Sequence, residues 1–176
     1  MVESVIRDGD VVLRLWSVDD RAAVDNIVAS SQFELNGWLP GLVSELLDFD
    51  EFVERVRRCA SEGTGWYYAV EVDACVVGQC SIEVLGERTG EIGYWVRSDR
   101  TNERIATQAA SALCRAVIAH GFARLFIHCD EGNLGSKAIA RKLGFTHLDT
   151  VDLDAELPRT DVQTGREMSW MLLVEK

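Results

Sequence analysis

Three stretches of this sequence hold residues whose types and spacing could do chemistry. The first is VRSDRTNERIAT, residues 96–107, a polar loop between an apolar run and a helical pattern. The front of a helix presents main-chain N–H groups without intrahelical partners, and such a mouth suits a pyrophosphate. No glycine stands between Val96 and Thr107, so the backbone there would meet phosphate through Asn102 and Arg104. The second is EGNLGSKAIARKLGF, in which Asn133 and Ser136 lie three residues apart where a helix begins. That spacing is an ordinary N-cap bonding the amide of Ser136, and it also places a hydroxyl at a helix entrance. The third is Glu91, which heads EIGYWV. A carboxylate there is either a strand-end charge facing solvent or a general base, acting through water.

Elements able to position these residues follow from the apolar periodicity. EIGYWV (91–96) is apolar on both faces after Glu91, as an interior strand should be. Ala106, Ala109, Ala110, Leu113 and Val117 recur at helical spacing and stop at Gly121. RLFIHC reads as a strand, and a helix from Asn133 to Leu143 closes at Gly144. Upstream, VVLRLW (11–16) is strand-like, and Ser17 with Asp20 forms a capping box ahead of the apolar period from Val24 to Val28. Asp48 with Glu51 repeats that signature before Phe49, Phe52, Val53 and Val56, in a helix ending near Gly63. WYYAVEV and CVVGQCSIEVL flank the turn Asp73-Ala74, an antiparallel hairpin. EMSWMLLV supplies a last strand. No linker, repeat or low-complexity tract interrupts the order, so one α/β domain over 1–176 is expected.

Composition narrows the function classes. With 176 residues, 47% of them hydrophobic, a sizeable core is available. No apolar run reaches membrane-span length, and MVESVIRDGD is too polar for a signal peptide, so a cytoplasmic protein with no membrane partner is expected. A net charge of −11 argues against a general nucleic-acid surface. The charge is unevenly placed: residues 97–142 carry eight basic and four acidic side chains, and the rest carries ten against twenty-five. A basic zone on an acidic body fits an anion at one place and an amine at another, although solvated helix faces give the same tally. Cys59, Cys75, Cys80, Cys114 and Cys129 show no metal or disulfide spacing and read as reduced thiols. His120, His128 and His147 are scattered and form no ligand set, so no metal is expected.

Taken together, EIGYWV, the loop RTNERIAT, the segment EGNLGSKAIARKLGF and GWLP at 37–40 resemble the GCN5-related N-acetyltransferases (GNAT), specifically the RimJ/RimL-type ribosomal-protein alanine acetyltransferases. The match in order and spacing runs from about residue 10 to 174. The resemblance implies a mixed, mostly antiparallel sheet, splayed at the cofactor-binding strand and flanked by helices. It implies acetyl-coenzyme A as donor: amides of Thr101, Asn102, Glu103, Arg104, Ile105, Ala106 and Thr107 around its pyrophosphate, with Trp95, Val96 and Arg97 along its pantetheine arm. Asn133 would bond pantetheine or the neighbouring backbone, and Ser136 would lie near the thioester sulfur. The N–H of Val96 becomes the oxyanion donor if the strand bulges there.

Two departures from the family pattern matter. The tyrosine often found seven residues after the asparagine is absent, since Ala140 stands there, and Ser136 is left as the local proton donor. Arg104 occupies the family's glycine position. It either keeps a helical φ, with its amide still aimed at phosphate, or takes a positive φ at about 1–2 kcal/mol and narrows the mouth. Because Ile105 and Ala106 lead straight into a helix, the helical φ is expected. The functional expectation is direct acetyl transfer to a primary amine, with Glu91 as base and Trp38 beside the acceptor. The branch is compatible with a homodimer. A ribosomal-protein N-terminus, a free amino compound and an amine antibiotic all fit as acceptors. A member that keeps the fold as a binding or assembly module without turnover is the alternative.

Overall fold

The β-branched and aromatic runs between turn residues assemble into one eight-stranded sheet. The computed structural model describes residues 2–154, 156 and 159–174. Its strands are β1 (Val5–Asp8), β2 (Val11–Leu15), β3 (Gly65–Val72), β4 (Cys75–Gly86), β5 (Thr89–Val96), β6 (Arg124–Asp130), β7 (Thr146–Asp152) and β8 (Arg166–Leu173). Their order in the sheet is β1-β2-β3-β4-β5-β6-β8-β7. Every neighbouring pair is antiparallel except β5 and β6, which run parallel. The Asp73-Ala74 hairpin forms as expected, both residues having positive φ (52° and 60°), as a two-residue turn between twisted strands requires.

Five helices cover the sheet: α1 (Arg21–Trp38), α2 (Leu42–Leu47), α3 (Phe49–Glu62), α4 (Ile105–Ala119) and α5 (Leu134–Lys142). Side chains alternate across strands, so each face of the sheet builds its own core. On one face Leu13, Ile82, Ile92, Leu125 and Ile127 pack with Ala109, Leu113 and Val117 of α4. On the other, Trp16, Ala69, Val76 and Trp95 pack with Val24 and Ile27 of α1 and with Phe49, Phe52 and Val53 of α3.

Three elements escape the periodicity argument. β1 has only four residues, α2 only six, and β7, with the sequence THLDTVD, is an edge strand with no fully buried residue. The capping box of Ser17 and Asp20 is present but opens a short 3₁₀ turn over Val18–Asp20, from which α1 continues to Trp38. Asp48 stands at the front of α3 without a side-chain cap bond. It also ends α2, its N–H going back to the Ser44 carbonyl, and this double duty removes the extended backbone an N-cap side chain needs.

The start of α1 is fixed by charge. Arg14 of β2 donates two bonds to the buried Asp20 carboxylate, at 2.8 and 2.7 Å, and one to Glu71 at 2.9 Å. Asp20 also accepts from the Ser17 amide. Burial opposes ionisation of Asp20, but Arg14 and the Ser17 amide outweigh it and hold its carboxyl below the usual range. The stability this contributes is present above the ordinary aspartate value, about 3.9, and is lost as pH falls through the lower folded value. Asp20→Ala should therefore cost about 2 kcal/mol in urea unfolding at pH 7 and much less at pH 3, since the half-buried Arg14 loses two of its charge-assisted bonds and keeps the one to Glu71. A cost below about 0.5 kcal/mol at pH 7 would show that the pair holds nothing.

Candidate active site

β5 and β6 share only three register pairs, Thr89–Arg124, Gly90–Leu125 and Glu91–Phe126. Beyond Glu91 they part, while β5 stays paired with β4 through Val96 and Gly78. Arg97 donates to the Val77 carbonyl of β4 at 2.8 Å. Successive strand residues aim their amides at opposite edges, so those of Tyr94 and Val96 face the gap. The bulge on which the oxyanion role of the Val96 N–H is conditional does not occur in the β4–β5 pairing at that residue. The register shift of this pair lies between Val84 and Gly86, and strand divergence, not a bulge, frees the Val96 amide.

The gap opens into a cavity of about 940 Å³, bordered by β5, β6, the loop before α4, the start of α5 and the end of α1. Its size suits a ligand larger than a metabolite fragment. At one end stand the first turn of α4 and the loop ahead of it. Gln108 makes the first backbone bond of that helix, to the Arg104 carbonyl at 2.9 Å, leaving the amides of Ile105, Ala106 and Thr107 without intrahelical acceptors. The loop is anchored to α1 by the buried Ser31 hydroxyl, which accepts from the Ser98 amide at 2.9 Å. Within it Arg97 pairs with Asp99 and Arg100 with Glu103. Thr101 bonds the Ser98 carbonyl.

Arg104 departs from expectation. Its φ is +67° and ψ 6°, left-handed rather than helical, and Asn102 has φ +65°. The chain turns out of the 3₁₀ turn at Ser98–Arg100 directly into α4, and the residue ahead of the helix absorbs the reversal. The Arg104 side chain is exposed, borders the cavity and pairs with no carboxylate among the described residues.

Nearer the middle of the cavity, Asn133 caps α5, its side chain accepting from the Ser136 amide at 2.9 Å. That holds the Ser136 hydroxyl 2.9 Å from the hydroxyl of Tyr94. Burial pushes Tyr94 well above the usual phenol value, outweighing the bond from Ser136, so it stays protonated. Tyr94 escaped sequence reasoning although it lies in EIGYWV. Only the pairing of α5 against β5 shows that a strand tyrosine stands beside Ser136, where position 140 offers alanine. Cys129 also borders this region, and burial raises its thiol, so it is no ready nucleophile.

The opposite face of the gap is acidic. Glu34, Glu91 and Glu167 border the cavity there, with Trp38 at the end of α1. Glu91 is not a strand-end charge facing solvent: its carboxylate lies 3.1 Å from Nδ1 of His128. Ligand spacing alone gives no role to His128. The usable signal is the parallel pairing, which sets Glu91 beside Phe126 and so two residues, on the same face, from His128. A second cavity of about 370 Å³ adjoins the first and shares Trp38 and Trp95 with it. The buried indole N–H of Trp95 has no partner among the described residues.

The family model for the acetyltransferase (GNAT) domain matches residues 10–146. The chain belongs to the GNAT acetyltransferase family. YdaF of Bacillus subtilis (strain 168), which carries the name of a ribosomal N-acetyltransferase, is 25% identical over 146 residues, covering 77% of each chain. Among solved structures, the RimL ribosomal L7/L12 alpha-N-protein acetyltransferase in complex with coenzyme A superposes with a TM-score of 0.86 at 20% identity, over 97% of this chain and 98% of that one. Mycobacterium smegmatis RimJ, solved with coenzyme A disulfide, gives 0.83 at 23% identity, over 96% and 85%. For this GNAT chain, Arg104→Gly should raise stability by about 0.5–1 kcal/mol, since the relief of left-handed strain exceeds the added freedom of glycine when unfolded. A loss of stability in urea unfolding would mean that the side chain compensates for its backbone.

Proposed function

We propose that this chain transfers the acetyl group of acetyl-coenzyme A to a primary amine by direct attack. The observation that carries the reading is the gap between β5 and β6, which joins free main-chain donors on one side to an acidic surface on the other. Acetyl-coenzyme A, when bound, supplies an acetyl thioester open to attack by an amine. The residues present fit it. Amides of Ile105, Ala106 and Thr107 face the cavity mouth for a pyrophosphate, with Arg100, Arg104 and Lys142 nearby to add positive charge. Amides of Tyr94 and Val96 serve the extended arm as a missing neighbour strand would, and the Val96 N–H is the oxyanion donor. Asn133 acts through the α5 cap, setting Ser136 and Tyr94 as a pair of hydroxyls for the departing sulfur.

The acceptor enters from the face of α1. Glu34, Glu91 and Glu167 favour a cationic group there, and Trp38 with the smaller aromatic-walled cavity accommodates its body. Trp95 offers an unpaired indole donor to a carbonyl near the amine. Those features suit a peptide N-terminus better than a bare amine, in line with the ribosomal-protein acetyltransferases among the similar structures.

Thermal unfolding with and without ligand and a release assay test the proposal in two steps. Acetyl-coenzyme A at a hundred times its dissociation constant should stabilise the fold by about 2.7 kcal/mol. Thiol release should then depend on added peptides with free N-termini and vanish when those termini are blocked. Binding with no release of the coenzyme A thiol in the presence of any amine would support a non-catalytic binding module instead.

A further inference from the structure

One titratable pair in the cavity has, as a pair, no part in the proposal so far: Glu91 of β5 and His128 of β6. Nδ1 of His128 lies 3.1 Å from the Glu91 carboxylate, and the two side chains are 27% and 34% exposed. The Phe126 ring lies parallel to the imidazole, with centroids 5.9 Å apart and planes 5° from each other. A carboxylate facing Nδ1 places the proton of neutral histidine on that nitrogen, and the lone pair is then on Nε2. Among the described residues Nε2 of His128 has no hydrogen-bond partner, and both residues border the cavity that holds Glu34 and Trp38. The carboxylate orients, the aromatic ring fixes the plane, and the far nitrogen is left basic.

We propose that His128 is the base that takes the proton from the acceptor amine, and that Glu91 is a positioning residue that fixes its tautomer. The assignment rests on the acetyl-transfer reading above. Proton affinities favour histidine over a carboxylate acting alone. An ordinary α-ammonium is about twenty-fold harder to deprotonate than an ordinary imidazolium, against about three thousand-fold relative to an ordinary glutamic acid. Two charged groups face His128: Glu91 from β5 and Glu167 from β8, with Glu34 of α1 across the cavity. The bond to Glu91 raises the histidine's proton affinity above the ordinary value. Burial opposes the rise, and the charges of Glu91 and Glu167 add to it.

The proton balance closes without any further reagent. Nε2 first takes one proton from the ammonium and passes it to solvent; it then accepts a second from the attacking nitrogen as the nitrogen–carbon bond forms, the carbon–sulfur bond breaks, and the sulfur takes one proton from the Ser136–Tyr94 hydroxyl pair. Those hydroxyls are replenished from solvent, and His128 returns its proton through the open mouth of the cavity. The net products are an amide, a thiol and one proton for each ammonium consumed.

Two measurements test the assignment. Long-range proton–nitrogen spectra of labelled imidazoles, read with coenzyme A present, should show neutral His128 protonated at Nδ1 and titrating above 6.5. In Glu91→Gln the midpoint should fall and the Nε2-protonated tautomer should appear. A wild-type ring protonated at Nε2, or a midpoint indifferent to Glu91→Gln, overturns the proposal. In the second, acetyl transfer to alanine amide and to an alanine-led peptide is followed against pH. For the wild type, kcat/KM should rise through the midpoint seen in the spectra. His128→Gln should lose that limb and at least about a hundred-fold in kcat, with the KM for acetyl-coenzyme A within about threefold. Glu91→Gln should move the limb to lower pH. His128→Gln turning over within threefold of wild type overturns the assignment alone. Wild-type protein that acetylates neither probe overturns the acetyl-transfer reading, and the assignment with it.

Discussion

A strand that loses its neighbour on one side carries amides and carbonyls with no partner, and a folded chain keeps such groups only where water or a ligand can reach them. Here the loss is confined to one place in an otherwise continuous ladder. β5 keeps its partner β4 along its length but holds β6 only as far as Glu91. Both strands are interior, so the parting opens a passage through the middle of the sheet. The other features of the site depend on this passage. α4 begins at its mouth, α5 brings the Ser136 hydroxyl to one face, and α1 brings Trp38 and Glu34 to the other.

The passage also explains why the charges are sorted as they are. Basic side chains gather where α4 begins, and carboxylates gather on the face of α1. Each group would be indifferent on an open surface. At the two ends of one cavity they suit ligands of opposite sign, and the proposed transfer rests on that arrangement. The cost appears in the backbone at Arg104, held left-handed where a glycine would rest without strain. Because its side chain is exposed, that cost buys no contact with the core, and only the direction of the amides that follow can justify it.

Much of this was legible in the sequence. The order of the longer elements, the hairpin at Asp73-Ala74, the helix stops at Gly63 and Gly144 and the Asn133 cap all follow from local chemistry, and local chemistry holds in the folded chain. Glu91, Ser136, Asn133, Trp38, Trp95, Val96, Thr101, Asn102, Arg104, Ile105, Ala106 and Thr107 border one cavity, whereas Arg97, whose amide turns to β4, and Glu103 do not. What was not legible depended on neighbours distant in sequence. The φ of Arg104 is imposed by the preceding 3₁₀ turn and the anchor at Ser31, not by the helix that follows. Tyr94 and His128 acquire meaning only from the pairing of α5 with β5 and of β6 with β5. β7 carries almost no burial pattern because it is an edge, and an edge gives periodicity little to report.

The central claim is that the amides of Tyr94 and Val96 and those of the first α4 turn are unpaired until a thioester carrier arrives. Amide hydrogen exchange resolved by residue, with and without coenzyme A, tests it most directly. The account predicts fast exchange at Tyr94, Val96, Ile105, Ala106 and Thr107 in the free protein and marked slowing at all five once the carrier is bound. Slow exchange at these positions without ligand, or rates that the carrier leaves unchanged, would contradict it.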